Sequence, residues 1–379
     1  MFFDKKKTYK RIDYFLIFIV LALLVFGLIM VNSTTLSYGA QKHSSYMRSQ
    51  DLATLLGIII MVVLMLTPPD LLKKLAWPIY IFSNAFLVAT LVKGSTTYGS
   101  RSWLELGSFK FQPSEFVKIG LIISLSTFME KNKEVLNEPF TLLKLLVLSF
   151  IPVALVLKQP DFGTAVVFMG IIAMMFFVGG IGRQYIYVAL GAILIYLPVY
   201  WFNLDQYARN RIFDFLEPER DTLGSGMQAY VGKISLGSGK FFGRGLYNGV
   251  QNQGNFLSLK HSDFIFPMVV EELGFLGGFI LLTLYFLLLL KLFNISKEED
   301  YYARVFSIGV FTMFFIHIWE NVAMTMGLMP VTGIPLPFIS SGGTFQIANL
   351  ISIGLILGIK YYSSSKMDSH GQKIDNLLR

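Results

Sequence analysis

Apolar residues in this chain come in long unbroken runs, and no other feature constrains the fold as much. The stretch YFLIFIVLALLVFGLIMV (14–31) has no charged or amide side chain. About 20 such residues form a helix long enough to cross ~30 Å of hydrocarbon. Comparable runs recur at 52–67, 75–92, 113–128, 141–157, 163–179, 185–202, 264–290, 304–327 and 345–361. The run at 113–128 is the most interrupted, since it carries Glu115 and Lys118. Only 15% of residues are charged and mean hydropathy is +0.59, where a soluble domain has about 25% charged. The expected fold class is therefore all-α: a polytopic integral membrane protein with about ten transmembrane helices.

Lys and Arg between the runs set the orientation. With the N-terminus inside, the inner segments hold 17 of them and the short outer loops hold 6, the bias of a cytoplasmic side. This predicts a cytoplasmic segment at 1–13, a transmembrane domain at 14–361 and a cytoplasmic tail at 362–379. A large extracytoplasmic loop, 203–262, separates spans seven and eight. The first run is a full span without a small-residue cleavage site, so a cleaved leader is not expected. The net charge of +8 follows from the same inner bias and from attraction to anionic membrane lipids, not from nucleic-acid binding. There is no cysteine, hence no disulfide or thiolate chemistry.

Against that apolar background the acids stand out. KHSDFIFPMVVEELG (260–274) opens the eighth run with Asp263 and carries Glu271 and Glu272 about two turns deeper. Asp263 alone reads equally well as a helix N-cap. Adjacent acids at depth need a polar cavity or basic partners. Glu271 is expected in the cavity behind Asp263, and Glu272 beside a basic residue.

RSWLELGSFKFQPSEFVKIG (101–120) places Pro113 in a first helical turn. Glu115 and Lys118 follow at i,i+3, able to pair on one face. Arg101 and Trp103 precede them on the outer side. QPDFGT (159–164) is a turn and helix start around Asp161. PLPFISSGGT (335–344) breaks helix at its prolines. Free N–H groups of Ser341, Gly342 and Gly343 at the next helix start are expected to suit an anion such as pyrophosphate. His317, in mid-span, is expected to be bonded inside the bundle. No nucleotide-binding motif is present.

Together these stretches resemble the SEDS family (shape, elongation, division and sporulation), from about residue 14 to 361. The resemblance rests on the segments quoted above and on RIFDFLEPERD, GSGMQAYVGKISLGSGKFFGRGL and PVTGIPLPFISSGGT. GLYNGVQNQGNFL and MPVTGIPLPF are more similar to the RodA branch than to the FtsW branch. The family often has HTD where His261-Ser262-Asp263 stand, and SYGG where Ser340–Gly343 stand.

The resemblance implies a ten-span peptidoglycan glycosyltransferase in a bacterial cytoplasmic membrane, with its active site facing outside. It would polymerise lipid II into glycan strands for elongation and cell shape, releasing polyprenyl pyrophosphate. Its implied partners are a class B penicillin-binding protein transpeptidase and other elongation-complex membrane proteins. The family's essential aspartate matches Asp263, its RxW tryptophan Trp103, and its QPSE..K pair Glu115 and Lys118. On this reading Asp263 is either a general base or the ligand of a divalent cation, magnesium or manganese. Arg101, Lys118 and Arg211 would face the pyrophosphate, with Asp161 and Glu271 nearby. A lipid II flippase and a non-enzymatic scaffold for cell-wall synthases are the alternatives.

Overall fold

The structure is a computed structural model. It describes residues 12–377 apart from 98–99, 107–108, most of 186–205, 218–225 and 298–299. Asp13 starts α1 (Tyr14–Leu36) by accepting a hydrogen bond from the Leu16 amide at 3.0 Å, the usual N-cap contact. The same carboxylate takes Lys360 at 2.6 Å and Lys291 at 3.4 Å, which ties three helices together at one end of the bundle.

α2 (Ala40–Met65) begins twelve residues before the expected 52. Its first three turns are polar, so a search for apolar runs does not register them. α3 (Pro69–Lys93) has proline in its first turn, where the missing N–H costs nothing. Then comes a small antiparallel meander: β1 (Ser95–Thr97), β2 (Ser100–Leu106) and β3 (Phe109–Phe111). Ser95 pairs with Trp103, and Leu104 with Phe111. The all-α expectation omits this sheet, because strands of three to seven residues carry little periodic signal.

α4 (Pro113–Lys131) is the helix expected at 113–128, and it is buried on nearly every side. Among the described residues eight helices are long and apolar enough to cross a membrane. α4 is not one of these, because Glu115, Lys118, Glu130 and Lys131 interrupt its apolar run; Glu115 and Lys118 are buried among other helices. The run expected at 185–202 lies largely outside the described residues. α5 (Pro139–Leu157) and α6 (Phe162–Gly179) complete the first part of the chain.

The long loop is itself helical in part, with α7 (Gln206–Leu216), α8 (Met227–Ser238) and α9 (Val250–Gln253). α10 (Ile265–Ile295) follows and is broken at Gly274, where φ is 71°. Residues 240–245 fill the break. Phe275 N donates to Lys240 O at 2.8 Å, and Leu276 N to Phe241 O at 3.1 Å. In return Arg244 N reaches Glu271 O, and Gly245 N reaches Glu272 O. A Cβ at Gly274 would lie 2.3 Å from Gly243 N, so both the angle and the space require glycine.

α11 (Tyr301–Met326) and α12 (Gly343–Leu377) are the most enclosed long helices. α12 runs along α2, α6 along α11, and α3 along α4. Between α11 and α12 the chain is non-helical yet buried from Ile334 to Ser340, apart from half-buried Pro335. Buried irregular backbone must find partners. Here Tyr285 Oη donates to Pro337 O at 2.5 Å, and Leu336 N to Ser340 Oγ at 2.8 Å. α1 meets this loop at Gly27, where a Cβ would stand 2.1 Å from Phe338 O. Neither backbone can yield. Gly27→Val is therefore expected to abolish monodisperse protein in detergent, read by size exclusion. A wild-type profile for that variant would show that the α1 contact is not needed.

Candidate active site

Asp263 closes the long loop one residue before the N-cap of α10 and is half-buried. The backbone around it is held on consecutive carbonyls. Ser341 N donates to His261 O at 2.8 Å, and Ser340 Oγ to Ser262 O at 2.6 Å. Asn321 Nδ2 donates to Asp263 O at 2.8 Å and to Ile334 O at 2.7 Å. The 334–341 loop and α11 thus clamp the segment that carries the carboxylate. Burial pushes the Asp263 carboxyl up to about 6. The Ser262 hydroxyl and the Arg211 charge oppose that rise, and Asp161 adds to it.

Asp161 caps α6 through Thr164 N at 3.1 Å. Burial raises its carboxyl, against the attraction of Lys118 and Arg211. Arg211, from α7, donates to Thr332 O at 3.4 Å and acts on both aspartates. It also lines a narrow crevice with Asp214, Lys233, Met324 and Met329. Gly163 packs against Thr332 and Ile334, while Gly333 faces Asp263 Oδ2. One strand of irregular chain therefore links the two carboxylates.

A buried charged cluster adjoins them. Lys118 Nζ sits 2.9 Å from Glu115 Oε2 and 2.7 Å from His317 Nε2, with all three side chains buried. Glu320, one turn on from His317, is buried, and neither of its oxygens has a hydrogen-bond partner among the described residues. Lys118 and Asp161 act on it electrostatically. His317 is thus bonded within the bundle, as its mid-span position predicts.

Several expectations need correction. Arg101 does not present a free guanidinium. Its Nε donates to Gly94 O at 3.0 Å and its Nη1 to Leu91 O at 3.1 Å, which caps the carbonyl end of α3. Its backbone N–H donates to Gln159 O at 3.1 Å and Ser100 Oγ to the same carbonyl at 2.9 Å, so β2 braces the turn that leads to Asp161; Trp103, also in β2, is half-buried and pairs with Ser95. Lys118 is fully buried and its bonds go to Glu115 and His317, so its ammonium is not presented to a ligand.

The amides of Ser341 and Gly342 are not open to an anion. They are taken by His261 O and by Gln50 Oε1 at 3.1 Å, so the Ser341-Gly342-Gly343 turn is a clamp. Glu271 accepts from Gln251 N at 2.8 Å and Asn252 N at 3.1 Å; it caps α9 rather than lining the cavity. Glu272 hydrogen-bonds to neutral groups, Ser33 Oγ at 2.7 Å and Asn252 Nδ2 at 2.6 Å, and acts on its basic neighbour Lys260 through space. A divalent cation held by Asp263 would need substrate phosphates or water to complete its ligands. Among the described residues no three His, Asp or Glu side chains converge on a point.

Glu320, Asn321 and Ser340 were not singled out from the sequence. The available signal was HIWEN (317–321): three polar residues at i, i+3 and i+4 inside an apolar span, which face one way on a helix.

Residues 14–365 match the family model described as cell cycle protein, covering FtsW, RodA and SpoVE. The chain belongs to this family. It is 34% identical over 361 residues to the peptidoglycan glycosyltransferase MrdB of Escherichia coli (strain K12), spanning 93% of this chain and 95% of that protein. It is similar to a chain of a peptidoglycan synthase complex that coordinates polymerization and crosslinking, with TM-score 0.80 and 30% identity over 93% of this chain and 98% of that one. It also resembles the rod shape determining protein RodA of Thermus thermophilus, with TM-score 0.69 and 27% identity over 92% and 96%. Like these relatives of the FtsW/RodA/SpoVE family, the chain is a multi-pass membrane protein of cell-wall synthesis.

Proposed function

We propose that this chain is a peptidoglycan glycosyltransferase that polymerises lipid II at the outer face of the membrane, with Asp263 as its general base. The observation that carries this is the setting of Asp263: a half-buried carboxyl held near 6 beside the Arg211 cation. A base in that range is largely ionised at neutral pH yet basic enough to take a hydroxyl proton. The acceptor 4-hydroxyl attacks C1 of the lipid-linked sugar and its proton passes to Asp263. The bond from C1 to the pyrophosphate oxygen breaks, and polyprenyl pyrophosphate leaves. Arg211 offsets the charge that develops there, while Asp161, Glu115 and Lys118 fix its surroundings.

A flippase would use a broken helix to form a site at mid-membrane. The break in α10 is occupied by the backbone of 240–245, which favours the transferase. Fluorescent lipid II incubated with the purified protein in detergent separates the two readings, since a micelle has no second leaflet to flip into. Polymer on an electrophoresis gel supports transfer, and unchanged lipid II defeats it. The same assay with and without a class B penicillin-binding protein tests the partner we propose.

The proposed topology puts both termini inside and 93–112 outside. Lys110 and Lys297 are both exposed. An impermeant maleimide on intact spheroplasts is expected to label Lys110→Cys and spare Lys297→Cys. The reverse pattern overturns the orientation.

A further inference from the structure

Lys260 is fully buried three residues before Asp263. Three acceptors converge on its ammonium: Ser37 Oγ at 2.5 Å, Asn255 Oδ1 at 2.8 Å and the Asn252 carbonyl. The Tyr38 ring lies 4.8 Å from it. Asn252 then passes the contact on, donating to Glu272 Oε1 at 2.6 Å and to Ser33 Oγ at 3.2 Å. Glu271 holds the amides of Gln251 and Asn252 from below. The next residue, His261, meets Tyr38 Oη through Nδ1 at 3.0 Å. Ser33 lies near the end of α1, Ser37 caps it, and Tyr38 follows. The loop before Asp263 is thus fastened on one side to α1 and on the other to α10.

A buried ammonium needs both hydrogen-bond partners and counter-charge. Glu271 and Glu272 supply the counter-charge, since both act electrostatically on Lys260. That gives the two adjacent acids of the EELG stretch a purpose distinct from substrate contact.

We propose that Lys260 is a positioning residue for the transfer reaction: its charged, three-way bond between α1 and the loop sets where the Asp263 carboxylate stands. The inference rests on Asp263 acting on the acceptor hydroxyl. Misplacing a reacting group by about 1 Å costs up to ~10²-fold in rate, so the predicted effect falls on kcat.

Burial holds the Lys260 ammonium down to about 8, against the pull of Glu272 and Glu271. The charged or titratable groups that face it are Glu271 and Glu272 from α10, Tyr38 after α1, and His261 in its own segment; Arg244 faces Glu271. His261 is held down to about 4 by burial and by Lys260, so it stays neutral from pH 6 to 9. Loss of the Lys260 proton leaves two N–H donors for three acceptors and removes the attraction to the acids. The rate is expected to fall above about pH 8.

The test is lipid II polymerisation by the purified full chain, comparing wild type, Asp263→Asn, Lys260→Met and Lys260→Arg. Lys260→Met is expected to lose roughly 10- to 100-fold in kcat, with KM within about twofold. Lys260→Arg keeps the charge and is expected to recover most of that loss. It should also move the alkaline limb upward, since a guanidinium stays protonated throughout. A folded Lys260→Met at wild-type kcat overturns the proposal. So does a folded Lys260→Arg as slow as Lys260→Met, or one whose alkaline limb is unmoved. If Lys260→Met does not fold, the Arg variant and its pH profile decide. Failure of the wild type to polymerise, or full activity in Asp263→Asn, would instead strike the reading of Asp263 and be seen as such.

Discussion

Lys118→Met is expected to lower stability by about 3–5 kcal/mol and to stop polymerisation. The substitution leaves Glu115 buried with its 2.9 Å partner gone, and breaking a buried pair by removing one partner carries that order of cost. It also removes the 2.7 Å contact to His317 and the cation that acts on Asp161 and Glu320. Adding Glu115→Gln removes the unpaired carboxyl, so thermal stability of the double variant is expected to recover most of the loss. Its rate is expected to stay low, because Asp161 and Glu320 still lack their cation. Recovery of stability and rate together would reduce Lys118 to a counter-ion of Glu115. Melting curves and lipid II turnover on the same preparations separate these outcomes.

Asp263→Asn is expected to lower the rate by ~10²-fold or more, the scale of a lost general base, and to raise the melting temperature. The second half follows from linkage. The Asp263 carboxyl is held above its ordinary value, at about 6, mainly by burial, so the fold favours its protonated form. The stability this gives is complete below about pH 4 and is lost as pH climbs through about 6. At pH 7 the wild type therefore holds a carboxylate at a cost that neutral asparagine avoids. Asparagine keeps the shape and hydrogen-bonding capacity. The N-cap of α10 is Phe264, with no side-chain cap bond, so Asp263 is not the cap its sequence position allowed. A purely structural Asp263 would give little change in rate.

Much of this architecture is legible without coordinates, because lipid imposes length and apolarity on each crossing helix. Asp13, Pro69, Pro113 and Asp161 mark helix starts by local chemistry, and the helices begin at them or one residue later. What is not legible is pairing across the chain. Whether the Ser341 amide meets an anion or the His261 carbonyl depends on an element some 80 residues away. The same is true of Glu272, whose partner Ser33 lies 239 positions off. Arg101 looks like a free outer cation until the end of α3 is placed beside it. The break in α10 was invisible because LGFLGG is apolar throughout. Only the positive φ at Gly274 and the inserted 240–245 backbone reveal it.

The most direct measurement is the pH–rate profile of lipid II polymerisation by the purified protein, run beside Asp263→Asn. Wild type is expected to rise with a midpoint near 6, where the Asp263 carboxyl ionises, and the variant to stay slow at every pH. A variant that polymerises at the wild-type rate with the same acid limb would contradict Asp263 as the base.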